Sequence, residues 1–164
     1  MSQVSEDLLT EVKRRLTLQF QEADTARRVS VDDAIEAEGA MQSRYSTFKE
    51  ESQYLAGGQM KRSLEIKDAI AAVNSLLINP IKTGDQITLG SLVTIKCANL
   101  EECRRYLIVP ELAGGFVLNH QVIEGEITTT SSQSPLGKIL LKKEVGDQVL
   151  IPSGKNHWEI TDIA

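Results

Sequence analysis

Aromatic residues are scarce: one Trp, three Tyr and three Phe make up 4% of the 164 residues. So small a supply argues against an aromatic-lined pocket. It also assigns Trp158, in the alternating run Trp158-Glu159-Ile160, to the core of a small sheet rather than to base stacking. Cysteine is nearly absent. Cys97 and Cys103 have no further Cys and no clustered His near them, which excludes a zinc site and a disulfide framework and leaves two reduced, structural thiols. His120 and His157 lie far apart, as histidines of packing or surface rather than of a metal site. There is no excess of positive charge. The net charge is −5 and the chain is mildly acidic on both sides of Pro80, so autonomous DNA binding is not expected and a protein partner fits better.

No long hydrophobic run occurs either. The most apolar stretch, Ala69 to Ile81, is interrupted by Asn74, Asn79 and Pro80, so no membrane partner is expected. The start MSQVSEDLLTEV lacks the basic beginning and apolar centre of a secretory signal, which points to a cytoplasmic location. Neither G-x-S-x-G, G-x-x-x-x-G-K-[ST] nor G-x-G-x-x-G is present, so hydrolase and nucleotide-binding readings lack support.

What the chain does have is periodicity, and it changes at Pro80. Ser5 reads as an N-cap with Glu6 and Asp7 in the first turn, and Leu9, Val12, Leu16, Phe20 and Ala23 recur at spacings of three and four, one stripe of a helix. A reversal is expected near Gly39. A second run, Phe48, Leu55, Ile66, Ile70, Val73 and Leu77, supplies an antiparallel partner that Asn79-Pro80 stops. Helices of roughly 30 residues would reach about 45 Å, longer than a small core needs, so the hairpin must project. Ser30-Val31-Asp32-Asp33, which looks like a fresh capping box, and Gly57-Gly58 are candidate kinks. Lys13-Arg14-Arg15 and Arg27-Arg28 read as a solvated basic face.

After Pro80 the period becomes two, in Ile87-Thr88-Leu89, Leu92 to Ile95, Tyr106 to Val109, Phe116 to Leu118, Glu126 to Thr130 and Gln148 to Ile151. Turns are expected at Gly90-Ser91, Gly114-Gly115, Gly125 and Ser153-Gly154, with one helix over Pro135 to Lys143 capped by Ser134. The expected class is α+β: an N-terminal antiparallel coiled-coil hairpin over 1–79, then an antiparallel β-sheet domain with one short helix over 80–164.

The run Ser134-Pro135-Leu136-Gly137-Lys138-Ile139-Leu140-Leu141-Lys142-Lys143-Glu144-Val145-Gly146-Asp147-Gln148-Val149 resembles the C-terminal signature of the Gre family, S-P-L-(G/A)-x-A-L-(L/I)-G-K-x-V-G-D-x-V. Leu89-Gly90-Ser91-Leu92-Val93 and Tyr106-Leu107-Ile108-Val109 resemble two of its strands, in the right order, and Tyr45 to Glu50 loosely resembles its helix after the hairpin tip. The resemblance implies a C-terminal domain of FKBP-like fold and bacterial RNA polymerase as partner. It implies docking through Ser134, Pro135, Leu136 and Gly137 on the rim of the secondary channel, while the coiled coil reaches inward.

Members of that family that promote transcript cleavage carry two acids at the tip, in a pattern like Gly-Asp-Leu-x-Glu-Asn, which help hold a metal and a water in the polymerase active site. Here Gly39 is followed by Ala40, Met41, Gln42 and Ser43, without those carboxylates. Asp32, Asp33, Glu36 and Glu38 lie nearby with no Lys or Arg among them. Glu36 and Glu38 are the tip candidates; they could converge on Mg²⁺, or simply solvate a helix end. The reading is an accessory elongation regulator rather than an enzyme. It has no cofactor of its own, Mg²⁺ entering only with the polymerase active site, and indirect contact with nascent RNA. Two alternatives stand beside it, a channel-binding inhibitor that does not stimulate cleavage and an FKBP-like peptidyl-prolyl isomerase.

Overall fold

The computed structural model describes the backbone of residues 2–36, 45–80, 86–97, 102–152 and 156–164, with side chains except at 27, 30–36 and 45–56. Helices α1 (Gln3–Glu36) and α2 (Tyr45–Ile78) have 34 residues each. The cap lies three residues before its expected place: Ser2 Oγ accepts from the backbone N–H of Ser5 at 3.2 Å. Ser5 is instead buried, and its hydroxyl donates to the Ala164 carbonyl at 3.2 Å. Neither candidate kink interrupts a helix. A methyl group on Gly57 or Gly58 would meet nothing within 4 Å. Their cost is therefore one of helix propensity alone, about 1 kcal/mol each. The expected reversal at Gly39 lies outside the described residues.

The helices run antiparallel and close on the expected stripe where side chains are described, with Leu9, Val12, Leu16, Ile66 and Val73 buried and Phe20, Ala23, Ile70 and Leu77 packed against them, while the side chains of Phe48 and Leu55 lie outside the described residues. Lys13 Nζ donates to Asn74 Oδ1 at 2.7 Å across the seam, and Lys67 Nζ sits 5.1 Å from the Phe20 ring centre. Leu8, Ala69 and Leu76 form a neighbouring column that the single-stripe reading omits, and the same buried cluster takes in Leu92, Leu107, Val109, Leu118 and Ile127 from the sheet. One face of the hairpin base therefore serves two partners. The sheet-bearing cluster ends at Ala23 on α1, and the helix continues to Glu36.

The sheet is six-stranded in the order β3-β4-β2-β1-β6-β5. The strands are β1 (Leu92–Cys97), β2 (Cys103–Val109), β3 (Val117–His120), β4 (Ile123–Ser131), β5 (Gln148–Leu150) and β6 (His157–Ile163). It is mixed rather than antiparallel throughout, because β2 and β4 pair in parallel, with Leu107 opposite Thr129 and Val109 opposite Ser131. Alternating hydrophobicity reports which face a residue occupies and carries nothing about the direction of the neighbouring strand.

Other expectations shift. Ile87-Thr88-Leu89 forms no strand: Ile87 exchanges backbone hydrogen bonds with Lys142 and Lys143 beside a single Gln86–Glu144 bridge. Gly125, with φ +90, lies within β4 rather than in a turn between strands. Ser153-Gly154 lies outside the described residues.

The second sheet face carries Val93, Ile95, Cys97, Tyr106, Ile108, Trp158 and Ile160 and is closed by Leu140 of a short helix, α3 (Pro135–Leu140). Trp158 is thus a core residue. Cys97 is buried on this face, while exposed Cys103 pairs with Lys96 on the other parity of the ladder, so the two free thiols point to opposite faces.

Candidate functional site

The parallel β2–β4 pair forces a crossing. To leave room for β4, the chain after Val109 must pass over the end of β4 before returning as edge strand β3. It does so through Pro110 to Phe116. Thr129 fixes this turn, its Oγ1 donating to the Ala113 carbonyl at 3.3 Å and accepting from the Phe116 N–H at 2.8 Å. Gly114 makes the crossing possible, because a Cβ there would lie 2.7 Å from Ser131 N.

After Ser131 the chain turns into α3. Ser134 is extended, with φ −65 and ψ 156, and its Oγ accepts from Gly137 N–H at 2.9 Å while donating to the Ser131 carbonyl at 2.7 Å. Pro135 fills the first turn, where its missing N–H costs nothing. Gly137 is buried, and a Cβ on it would fall 2.0 Å from Ser131 O. The main chain of Ser131, the last residue of β4, is therefore approached closely by two glycines, Gly114 at its N–H and Gly137 at its carbonyl. Helix α3 ends sooner than expected, at Leu140, and Lys142 has left-handed φ of 65.

Between the crossing turn and the start of α3 lies an open groove of about 440 Å³, lined among others by Tyr106, Leu112, Ser134, Pro135, Leu136 and Pro152. Such a volume falls within the range of natural binding sites. Three of the four docking candidates, Ser134, Pro135 and Leu136, line it. Gly137 lies beneath them and offers no surface of its own.

Leu112 is the residue that pattern reading missed. It is an apolar side chain, 52% exposed, on a backbone of left-handed φ 68. That conformation costs on the order of 1 kcal/mol for a residue other than glycine, and exposing a leucine adds nothing to folding. Pro110-Glu111-Leu112-Ala113-Gly114-Gly115 marks a turn, and no local signal in it singles out the leucine.

The hairpin candidates are placed less fully. Glu36 ends α1, its side chain outside the described residues, and Glu38 lies outside them altogether. Among the described residues, no cluster of three or more His, Cys, Asp or Glu is placed to hold a metal ion, and no helix is long and apolar enough to cross a membrane.

Comparison with known proteins converges on one family. The model of the GreA/GreB transcription elongation factor C-terminal region matches residues 82–164. The GreA elongation factor of Sulfurovum sp. is 29% identical over 96% of this chain and 93% of its own length. That of Thermotoga maritima is 31% identical over 72% of this chain and 67% of its own. Among solved structures, GreA factor homolog 1 of Thermus thermophilus covers 97% of this chain and 94% of its own at 20% identity and a TM-score of 0.40, a loose likeness from which no geometry transfers.

Proposed function

The chain belongs to the GreA/GreB family of transcription elongation factors, and on that premise we propose that it binds bacterial RNA polymerase through the groove beside α3 and directs its helical hairpin into the secondary channel. The observation that carries this reading is the groove. Ser134, Pro135 and Leu136, within the stretch that resembles the family signature, line one side of it, and strained, exposed Leu112 lines the other. An apolar cleft with a few hydroxyls and backbone groups suits an apolar projection of a protein partner. Among the described residues Tyr106 is the one aromatic lining it, which gives the prolyl isomerase alternative little to work with.

Pull-down on purified RNA polymerase tests the docking. Leu112→Glu and Leu136→Glu should each weaken capture at least tenfold while circular dichroism shows the helices intact. Unchanged capture by both overturns the assignment of the groove.

What the hairpin end does is a separate question, answered on backtracked elongation complexes. Stimulated RNA cleavage that disappears in Glu36→Ala/Glu38→Ala identifies these acids as the tip carboxylates, and cleavage that survives the double substitution removes them. The second reading, inhibition by occupancy of the channel, is favoured by Ala40, Met41, Gln42 and Ser43 standing where the cleavage-promoting pattern has its acids. It requires slowed elongation with no stimulation of cleavage by the wild type.

A further inference from the structure

A long hairpin on a small sheet is a lever, and its aim depends on contacts near the fulcrum. On the order of 30 Å of helix separates Arg15 from Glu36 at about 1.5 Å per residue, so a swing of about 10° at the base moves the end by about 5 Å. The apolar contacts at the base, centred on Leu8, Leu9 and Val12, hold the helix down, but greasy surfaces are non-directional and permit rocking. Direction requires polar contacts at separated points.

Two such contacts join α1 to edge strand β3. Arg15 Nη1 donates to the Val117 carbonyl at 2.9 Å, with its guanidinium 6.0 Å from the centre of the neighbouring Phe116 ring. Asp7 Oδ2 stands 3.5 Å from His120 Nε2. The spacings match. Asp7 and Arg15 lie on one helix face with a rise of about 12 Å between them, and Val117 and His120 are about 10 Å apart along an extended strand. Glu11, midway on the same face, accepts from Arg15 Nε at 2.9 Å and so presets the guanidinium for Val117.

We propose that Arg15 is a positioning residue which, with Asp7, forms a two-point clamp on β3 that sets the direction in which the hairpin leaves the sheet. The clamp is a property of the free protein. Its consequence, delivery of the hairpin end to a fixed depth in the channel, rests on the docking reading above. Arg14 is the built-in control. It binds the same Glu11 carboxylate, Nε to Oε2 at 2.7 Å, yet its side chain is 60% exposed. Loss of either arginine costs Glu11 one partner, and loss of Arg15 alone opens the clamp.

The test is a distance distribution between spin labels on Cys103, on the sheet, and on Val29→Cys, beyond the base on α1, in a Cys97→Ala background. Arg15→Ala should shift or broaden the distribution by several ångströms with helix content unchanged, Arg15→Lys should restore part of the wild-type width through one remaining donor, and Arg14→Ala should match the wild type. Equal distributions for Arg15→Ala and wild type overturn the clamp, and so does equal broadening in both alanine variants, which would assign the effect to the Glu11 pair. Should Arg15→Ala fail to fold, Asp7→Ala releases the other point and must broaden the distribution for the clamp to stand. A wild type that ignores polymerase while these distances behave as expected sinks the docking reading and leaves the clamp.

Discussion

The hairpin base and the end of β4 achieve rigidity in opposite ways. At the base, side chains fill space: Leu8, Leu9, Val12 and Leu16 of α1 are essentially inaccessible to solvent against α2 and one face of the sheet. At the end of β4, side chains are missing, so that Gly114 and Gly137 bring backbone against the Ser131 peptide. Interdigitated side chains yield by degrees, since the cost of truncation follows the volume lost and the collapse of neighbours. Backbone against backbone does not yield, because an intruding atom has no rotamer by which to escape.

Substitutions can break or sharpen this contrast. The largest effect is expected from Gly137→Ala. With a Cβ 2.0 Å from Ser131 O, α3 must leave the sheet. A loss above about 4 kcal/mol, among the severest single-residue effects, should appear in urea melts; a loss below about 1 kcal/mol would show that the two layers can slide. Leu9→Ala follows, with a loss of about 2–5 kcal/mol in the same melts.

The contrast reverses sign farther along the hairpin. Ser63, on the inner side of α2, is 8% exposed, and among the described residues neither its Oγ nor Gln59 Oε1, one turn away, has a hydrogen-bond partner. A buried polar atom left unpaired costs about 1–3 kcal/mol, so Ser63→Ala should stabilise the hairpin by about 1 kcal/mol, seen as a higher melting temperature. A drop would point to a hydroxyl partner gained in solution.

The smallest effect concerns Glu11. Hydrogen bonds from Arg14, then from Arg15, hold its carboxyl at about 2, below the usual 4.5. A carboxyl depressed in the folded state adds stability above pH 4.5 and loses it as pH falls through 2. The pair is partly exposed, so Glu11→Gln should cost only about 0.5–1 kcal/mol at neutral pH. The difference from wild type should shrink steadily between pH 4.5 and 2 in thermal melts.

Much of this was legible beforehand, for identifiable reasons. The seam through Leu9, Val12, Ile66 and Val73 recurs at helical spacing, and Ser134-Pro135 announces a helix start by cap chemistry that is local in sequence. The parallel β2–β4 pair was not legible, since strand direction depends on where Pro110 to Phe116 carries the chain. Leu112 was hidden because it takes its left-handed φ inside the turn that the Ala113 N–H closes onto the Pro110 carbonyl at 3.2 Å, a position glycine usually fills, and the clamp because Arg15 and Val117 lie 102 residues apart in the chain. Gly137 was seen, yet its reason, contact with Ser131 O, required the fold.

Because Gly114 and Gly137 approach the main chain of Ser131 so closely, the groove between the crossing turn and α3 is backed at that point by peptide, which every amino acid shares. Chemical variety comes instead from side chains around the margin, Leu112, Leu136 and Pro152 among them. A descendant, or a library randomised at those three positions, could reshape that margin while the scaffold stays as it is.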